Sequence, residues 1–124
     1  MRAIAQAWAA PASFGMQLLT SEIPGRYTWS DALATAELQI SMVSSSRARV
    51  EGFATWGLAE RGVHTGELSF EAELSAGALT YSDPEAPYSL LLRFLPGLLI
   101  ASESAGLAYF GLNVTFEGTY TKVA

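Results

Sequence analysis

Strict alternation of apolar and polar residues, in short runs separated by glycine and proline, is the feature that most limits the fold of this chain. The cleanest run is GELSFEAELS at 66–75, where leucine, phenylalanine and alanine alternate with serine and glutamate. A period of two places successive side chains on opposite faces of a strand. No long stretch of the sequence has the 3.6-residue period of an amphipathic helix. The pattern therefore predicts an all-β protein.

The boundaries of these runs predict about eight strands. They are predicted at 25–29, 35–43, 49–59, 66–75, 78–82, 88–94, 98–103 and 112–123. The connections are too short for the helix that a parallel crossover needs, so the strands form an antiparallel meander. Glycine–aromatic pairs lie in the first strand (Gly25 and Tyr27) and in the last (Gly118 and Tyr120). They predict that these two strands pair and close the sheet into a small barrel.

The domain prediction is an N-terminal arm or short helix at 1–22 followed by a single barrel domain at 23–124. A chain of 124 residues is the size of one domain. The alanine-rich start is too short for a transmembrane helix, and Gln6 interrupts the apolar run that a signal peptide needs. A packed arm, a vestigial export signal and a disordered arm are the three interpretations of it. The absence of a clear signal favours a cytoplasmic location.

Composition excludes several kinds of chemistry. The chain has no cysteine and a single histidine, which excludes disulfide scaffolds, cysteine-based zinc sites and thiol catalysis. Its formal net charge of −5 argues against nucleic-acid binding, which normally requires a basic surface. His64 could act as a general base, but no serine nucleophile motif accompanies it. We therefore expect no cofactor, no metal and no identifiable catalytic residue.

A set of large residues on inward-facing strand positions is predicted to line the barrel interior and to contact any bound ligand. These candidate ligand-binding residues are Trp56, Phe70, Tyr81, Tyr88, Arg93, Phe94 and Phe116. Small residues alternate with them, which fits either a filled interior or a small apolar pocket. For Arg93 two interpretations remain: a surface charge, or a buried cation that pairs with a ligand carboxylate.

The leucine-rich strands predicted at 88–94 and 98–103 are apolar on both faces, which predicts that a second layer covers their outer face. The charged fraction is only 15%, against about 25% in an average domain, so an excess of apolar surface is expected. The N-terminal segment, the connection at 105–110 and another subunit are the three candidates for this layer, and of these we favour another subunit, which predicts a homo-oligomer. The candidate interface residues are Trp8, Phe14, Leu91, Leu99 and Phe110.

The runs at 66–74, 77–81, 88–94 and 113–120 resemble small bacterial lysozyme-inhibitor-like β-barrels. A looser resemblance, through Gly25-Arg26-Tyr27, is to lipocalin-like barrels. The first resemblance implies a small barrel that is exported and inhibits a hydrolase. It also implies a cysteine bridge between the positions of Tyr88 and Tyr109, both of which are tyrosine here.

Three hypotheses for function follow. The first is a non-enzymatic interaction module that binds or inhibits a protein partner such as a hydrolase. The second is a barrel that holds a small apolar ligand, as lipocalins do. The third is a cofactor-independent cyclase or isomerase, in which the shape of the pocket would position the substrate.

Overall fold

The computed structural model describes residues 20–104, 109–111 and 113–123, which form one antiparallel sheet. Its strands are β1 Gly25–Ser30, β2 Ala34–Met42, β3 Arg47–Trp56, β4 His64–Glu73, β5 Ala78–Ser82, β6 Ser89–Leu95, β7 Leu98–Ser104 and β8 Gly118–Lys122. Short 3-10 turns lie at Thr20–Glu22 and Ala59–Arg61. The predicted all-β fold of eight antiparallel strands is confirmed. In the described part of the chain, no helix has the length and apolar character needed to cross a membrane.

The sheet curls into a nearly closed barrel in the order β4-β3-β2-β1-β8-β7-β6-β5. The first and last strands do pair, with Tyr27 opposite Lys122 and Thr28 opposite Thr121. The predicted pairing of these two strands is confirmed. β4 and β5 are the two edge strands of the sheet, so the opening of the barrel lies between them. We call this opening the seam.

The β4–β5 connection is a tight turn from which the two strands diverge. Ser75 and Ala78 exchange two backbone hydrogen bonds of 2.9 and 3.0 Å around Ala76 and Gly77, whose φ angles are 52° and 74°. Positive φ at both central residues is typical of a hairpin turn. The N–H of the residue before the turn, Leu74, donates to the Ser46 carbonyl instead of to β5. Among the described residues, Ser75 and Ala78 form the one backbone bridge on this side of the sheet.

The alternating pattern places one face of each strand in the core. The large side chains that are fully buried are Ile23, Tyr27, Leu38, Ile40, Val50, Leu79, Leu90, Leu92, Leu99, Val114, Phe116 and Tyr120. Burying a side chain of this size contributes about 1.5–3 kcal/mol. The glutamates of β4 that alternate with this set face solvent, as predicted.

The last predicted strand is too long at its N-terminal end. It was expected from Leu112, a residue outside the described part, but β8 begins at Gly118. Asn113 has a φ of 59°, which a strand does not accommodate. Val114 and Phe116 nevertheless point into the core as predicted, and both are fully buried. Side-chain contacts hold this segment in place of a strand ladder.

β3 begins two residues earlier than predicted, at Arg47, and ends three residues earlier, at Trp56. Gly57 follows with a φ of 122°, and Leu58, which the strand predicted at 49–59 includes, is 40% exposed. His64 is the first residue of β4. Trp8, Phe14 and most of the predicted N-terminal arm lie outside the described residues.

At the β1–β8 junction, each of the two strands carries a glycine and a tyrosine, and the tyrosine hydroxyl bonds to the backbone. The Tyr27 hydroxyl donates to the Ile23 carbonyl at 2.7 Å, and the Tyr120 hydroxyl donates to the Phe116 carbonyl at 2.6 Å. In each case the acceptor lies four residues earlier in the chain, and a glycine lies between acceptor and donor. Burial raises the pKa of both phenols, so they stay protonated as donors at neutral pH.

Candidate functional site

The interior of the barrel is occupied by the protein's own aromatic rings at two glycine positions. A Cβ atom added to Gly52 would lie 2.7 Å from Cε1 of Phe116 and 2.8 Å from Cδ2 of Leu38. One added to Gly66 would lie 2.6 Å from Cβ of Phe110. Contacts this short leave no free space at either position. At these two positions the absence of a side chain on glycine leaves space for the side chains of Phe116 and Phe110.

Four of the predicted interior residues do come together, on the inner side of the seam. Phe70 of β4 stacks on Tyr81 of β5 with ring centroids 4.7 Å apart, so the two rings bridge strands that share no ladder. The ring centroids of Tyr81 and Tyr88 lie 6.4 Å apart. Phe110, which was predicted as an interface residue, joins Tyr88 to Phe116 through edge contacts of 5.2 and 4.9 Å.

The other three predicted interior residues lie elsewhere. Phe94 is buried but contacts Tyr27 at 5.8 Å, away from the seam. Trp56 is half-buried at the end of β3, where its ring lies 6.3 Å from that of His64. Arg93 is exposed on the outer face of β6, so its placement in the interior is wrong. Strand parity explains this, because Leu92 and Phe94 on either side of Arg93 point inward.

A carboxylate at the end of β7 accepts hydrogen bonds from two chain segments, the residue before β6 and the segment before β8. Glu103 accepts from the Tyr88 hydroxyl at 2.6 Å, from the Thr115 hydroxyl, and from the Phe116 N–H at 3.2 Å. The backbone N–H of Glu103 donates to Glu117 at 3.0 Å. Burial and the bond to Glu103 both raise the pKa of Tyr88, which therefore acts as a protonated donor. The cluster anchors the segment before β8 to the barrel wall.

Tyr109 connects this cluster to the end of β5. Its ring stacks on Tyr88 with centroids 4.2 Å apart and an interplanar angle of 10°. Its hydroxyl donates to Asp83, and this bond raises the pKa of the phenol. The same bond, together with the N–H of Glu85, lowers the pKa of Asp83. The two tyrosines at the positions where the resemblance implies a cysteine bridge are thus in direct contact.

The residues 109–111 therefore act as a clasp across the wide end of the seam. Tyr109 is tied to Asp83 after β5, while Phe110 packs on Gly66 of β4. Glu103 and Asp83 already accept hydrogen bonds from the protein's own donors. Their chemical role in this arrangement is to hold chain segments together.

The outer face of β1–β4 carries a feature that the sequence reasoning missed. Phe53, on an outward-facing position of β3, has 46% of its surface exposed. It lies opposite Glu37 of β2 and opposite Glu67 of β4. One shallow groove of about 460 Å³ lies on its β4 side, and another of about 320 Å³ lies on its β1 side. The available signal was a large aromatic residue on the polar side of an alternating strand.

Most carboxylates on this outer face already have a cationic neighbour. Glu37 pairs with Arg26 at 3.1 Å, and Glu71 pairs with Arg49 at 2.6 Å. Arg47 bonds to both Glu71 and Glu73, at 3.4 and 3.1 Å. These pairs are exposed, so each stabilises the fold by about 0–1 kcal/mol.

Two carboxylates beside Phe53 are different. Within the described residues, neither Glu51 nor Glu67 forms an ion pair or a side-chain hydrogen bond. Both line the larger groove together with Phe53. We call these three residues, Glu51, Phe53 and Glu67, the Phe53 surface. Over the described ranges, no cluster of three or more histidine, aspartate or glutamate side chains could hold a metal ion.

The predicted interface residues do not share one surface. Leu99 is fully buried in the core, because the inner face of β7 includes it, so its assignment to an interface is wrong. Leu91 is half-buried on the outer face of β6, and Phe110 belongs to the clasp. Trp8 and Phe14 lie outside the described part. Oligomerisation stays a prediction.

The fold defines the protein as a small antiparallel β-barrel. No protein-family model matches the chain, and no curated protein or solved structure is significantly similar to it.

Proposed function

We propose that this barrel is a non-enzymatic interaction module that binds a protein partner on the outer face of β1–β4, at the Phe53 surface. The observation that carries the proposal is the 46% exposure of Phe53 between two strands that pair along their full length with β3. A large aromatic side chain on a rigid sheet face costs little conformational entropy to bury against a partner. Aromatic residues of this kind are enriched at the centres of protein interfaces.

The packing of the interior favours this function over the two alternatives. An apolar ligand or a cyclase substrate that entered the barrel at Gly52 or at Gly66 would have to displace Phe116 or Phe110. Removing a buried phenylalanine from its packing is expected to destabilise the protein by about 3–5 kcal/mol. Glu103, which contacts the interior residue Tyr88, is occupied by hydrogen bonds from Tyr88, Thr115 and Phe116. The resemblance to lysozyme-inhibitor-like barrels supports a hydrolase as the class of partner.

The test compares the wild-type protein with two variants that each remove one exposed apolar side chain. Phe53→Ser removes the proposed anchor, and Leu95→Ser is the matched control, because Leu95 is 40% exposed on the distant strand β6. Each protein is immobilised and used to capture proteins from the cells that produce it, with quantification by mass spectrometry. We expect a partner that the wild type and Leu95→Ser retain and that Phe53→Ser loses.

A second measurement addresses the interior. Binding of a fluorescent fatty acid is titrated against the wild-type barrel, and we expect no saturable binding. Stoichiometric retention of the fatty acid, or a partner that binds Phe53→Ser as well as the wild type, would contradict the proposal.

A further inference from the structure

We infer that the partner group recognised at the Phe53 surface is an arginine side chain, an inference that rests on the proposed function. Glu67 lies directly opposite Phe53 in the β3–β4 register. Residues opposite each other in an antiparallel pair have Cβ atoms about 4.5–5.5 Å apart. Glu51 is two residues before Phe53 and on the same outer face. One exposed ring is thus bordered by two carboxylates.

The charges around Phe53 indicate that the partner group recognised there is a cation. The carboxylate on the other side of Phe53, Glu37, is already paired with Arg26. Arg47 and Arg49, farther along β3, are engaged with Glu71 and Glu73. Glu51 and Glu67 therefore face a groove to which the described chain contributes no cation. A cationic group of the partner would complement both.

Arginine fits this arrangement better than lysine. The guanidinium group is planar and can stack on the face of a phenylalanine ring. Its N–H groups form a fork that can donate two parallel hydrogen bonds to one carboxylate while a further N–H reaches a second. The ammonium group of lysine is compact and strongly hydrated, and it cannot make the same planar contact.

The experiment titrates the ¹⁵N-labelled protein with three short capped peptides that are identical except for one central residue. That residue is arginine, lysine or citrulline, and citrulline has nearly the shape of arginine without its charge. We expect saturable shifts of the amide signals of Glu51, Phe53 and Glu67 with the arginine peptide. We expect binding about two- to fivefold weaker with lysine, since an exposed cation–π contact has about this value.

Matched variants separate a local site from general attraction to an acidic protein. Glu67→Gln should weaken binding of the arginine peptide about two- to fivefold, the value of an exposed ion pair. Glu85→Gln, an identical change in the exposed β5–β6 turn, should leave the affinity unchanged. Citrulline that binds as well as arginine, or equal effects of the two variants, would overturn the inference.

The inference and the proposed function can fail separately. A captured partner that is lost with Phe53→Ser but retained with both Glu67→Gln and Glu51→Gln would overturn the arginine inference and leave the docking surface in place. A partner that binds all variants equally would overturn both.

Discussion

The barrel has two junctions that bring together strands from opposite halves of the sheet, and they are built differently. At the β1–β8 junction, backbone pairing continues across the strands, and each tyrosine hydroxyl donates to a carbonyl four residues earlier. At the β4–β5 seam, the described residues make backbone contact through a single bridge, between Ser75 and Ala78. Side chains close the remainder, through the stacked rings of Phe70 and Tyr81 and through the clasp.

The comparison shows two uses of the same residue type. Tyr27 and Tyr120 bond to backbone carbonyls, which do not titrate, and their partners are local in sequence. Tyr88 and Tyr109 bond to the carboxylates of Glu103 and Asp83, which lie 15 and 26 residues away in the chain. The first junction should therefore resist acid and local opening, and the seam should be the weaker of the two.

The largest effect is expected from Gly118→Ala in the β1–β8 junction. Gly118 has a φ of 155°, and an added Cβ would lie 2.8 Å from Nε1 of Trp29. The strained backbone and the overpacking together should lower the free energy of unfolding by about 3 kcal/mol. Gly97→Ala is the control, since Gly97 has a φ of 72° with open space around it, and it should lose only about 1 kcal/mol. Equal losses in chemical denaturation would show that the contact with Trp29 is unimportant.

The next largest effect is expected from Phe110→Ala in the clasp. The half-buried ring packs on Gly66 and against Tyr88 and Phe116, so its loss should destabilise the protein by about 2 kcal/mol, less than for a fully buried phenylalanine. Hydrogen exchange should accelerate at the amides of β4 and β5 and stay unchanged at β1 and β8. Phe53→Ala, which removes an exposed ring, is the control and should change the stability by no more than about 0.5 kcal/mol. Uniform acceleration over the whole sheet would contradict a locally weak seam.

A smaller effect is expected from Tyr120→Phe, which removes the bond to the Phe116 carbonyl. A buried acceptor without its donor should cost about 1–2 kcal/mol. The loss should be the same at neutral and at acidic pH, because the carbonyl does not titrate. Urea denaturation at both pH values measures this, and a loss that shrinks in acid would contradict the distinction between the two junctions.

The smallest effect is expected from Tyr109→Phe, and it should depend on pH. The bond from Tyr109 lowers the pKa of Asp83 in the folded protein below its ordinary value of 3.8. A lowered pKa means that the carboxylate stabilises the fold above this pH and that the contribution is lost as the pH falls through the folded-state value. The difference in stability between wild type and Tyr109→Phe should thus be present at neutral pH and vanish in stronger acid. Asp83→Asn should remove the same pH dependence, and a difference that persists in acid would rule out this account.

The alternation of apolar and polar residues predicts well which side chains face the core, because alternate residues of a strand point to opposite faces of the sheet. Alternation assigns Phe70 and Phe94 to the inward face, and both are buried. The same alternation puts Phe53 on the outer face of β3, where it is exposed. The pattern failed at 113–117, where Val114 and Phe116 are buried as in a strand but the backbone is held by Glu103.

Which side chains meet across the seam could not be predicted. Tyr88 lies just before β6 and Glu103 lies on the neighbouring strand β7, but their contact with Thr115 depends on the path of an irregular segment. The same is true of Phe110 on Gly66. Contacts of this kind depend on distances between segments far apart in the chain, and a one-dimensional pattern contains no such distances.

By itself, the sequence determined that the chain forms antiparallel strands, which residues fill the core, and that the glycine–tyrosine strands at the two ends pair. Each of these follows from local rules: side-chain alternation, backbone freedom at glycine, and the short reach of turns. Only the tertiary structure decided that the backbone ladder is interrupted between β4 and β5, and how the clasp bridges this opening. It also decided that no cation from the described part of the chain pairs with Glu51 or Glu67 beside Phe53. The physical reason is that curvature of the sheet brings β4 and β5 together and sets which distant charges become neighbours.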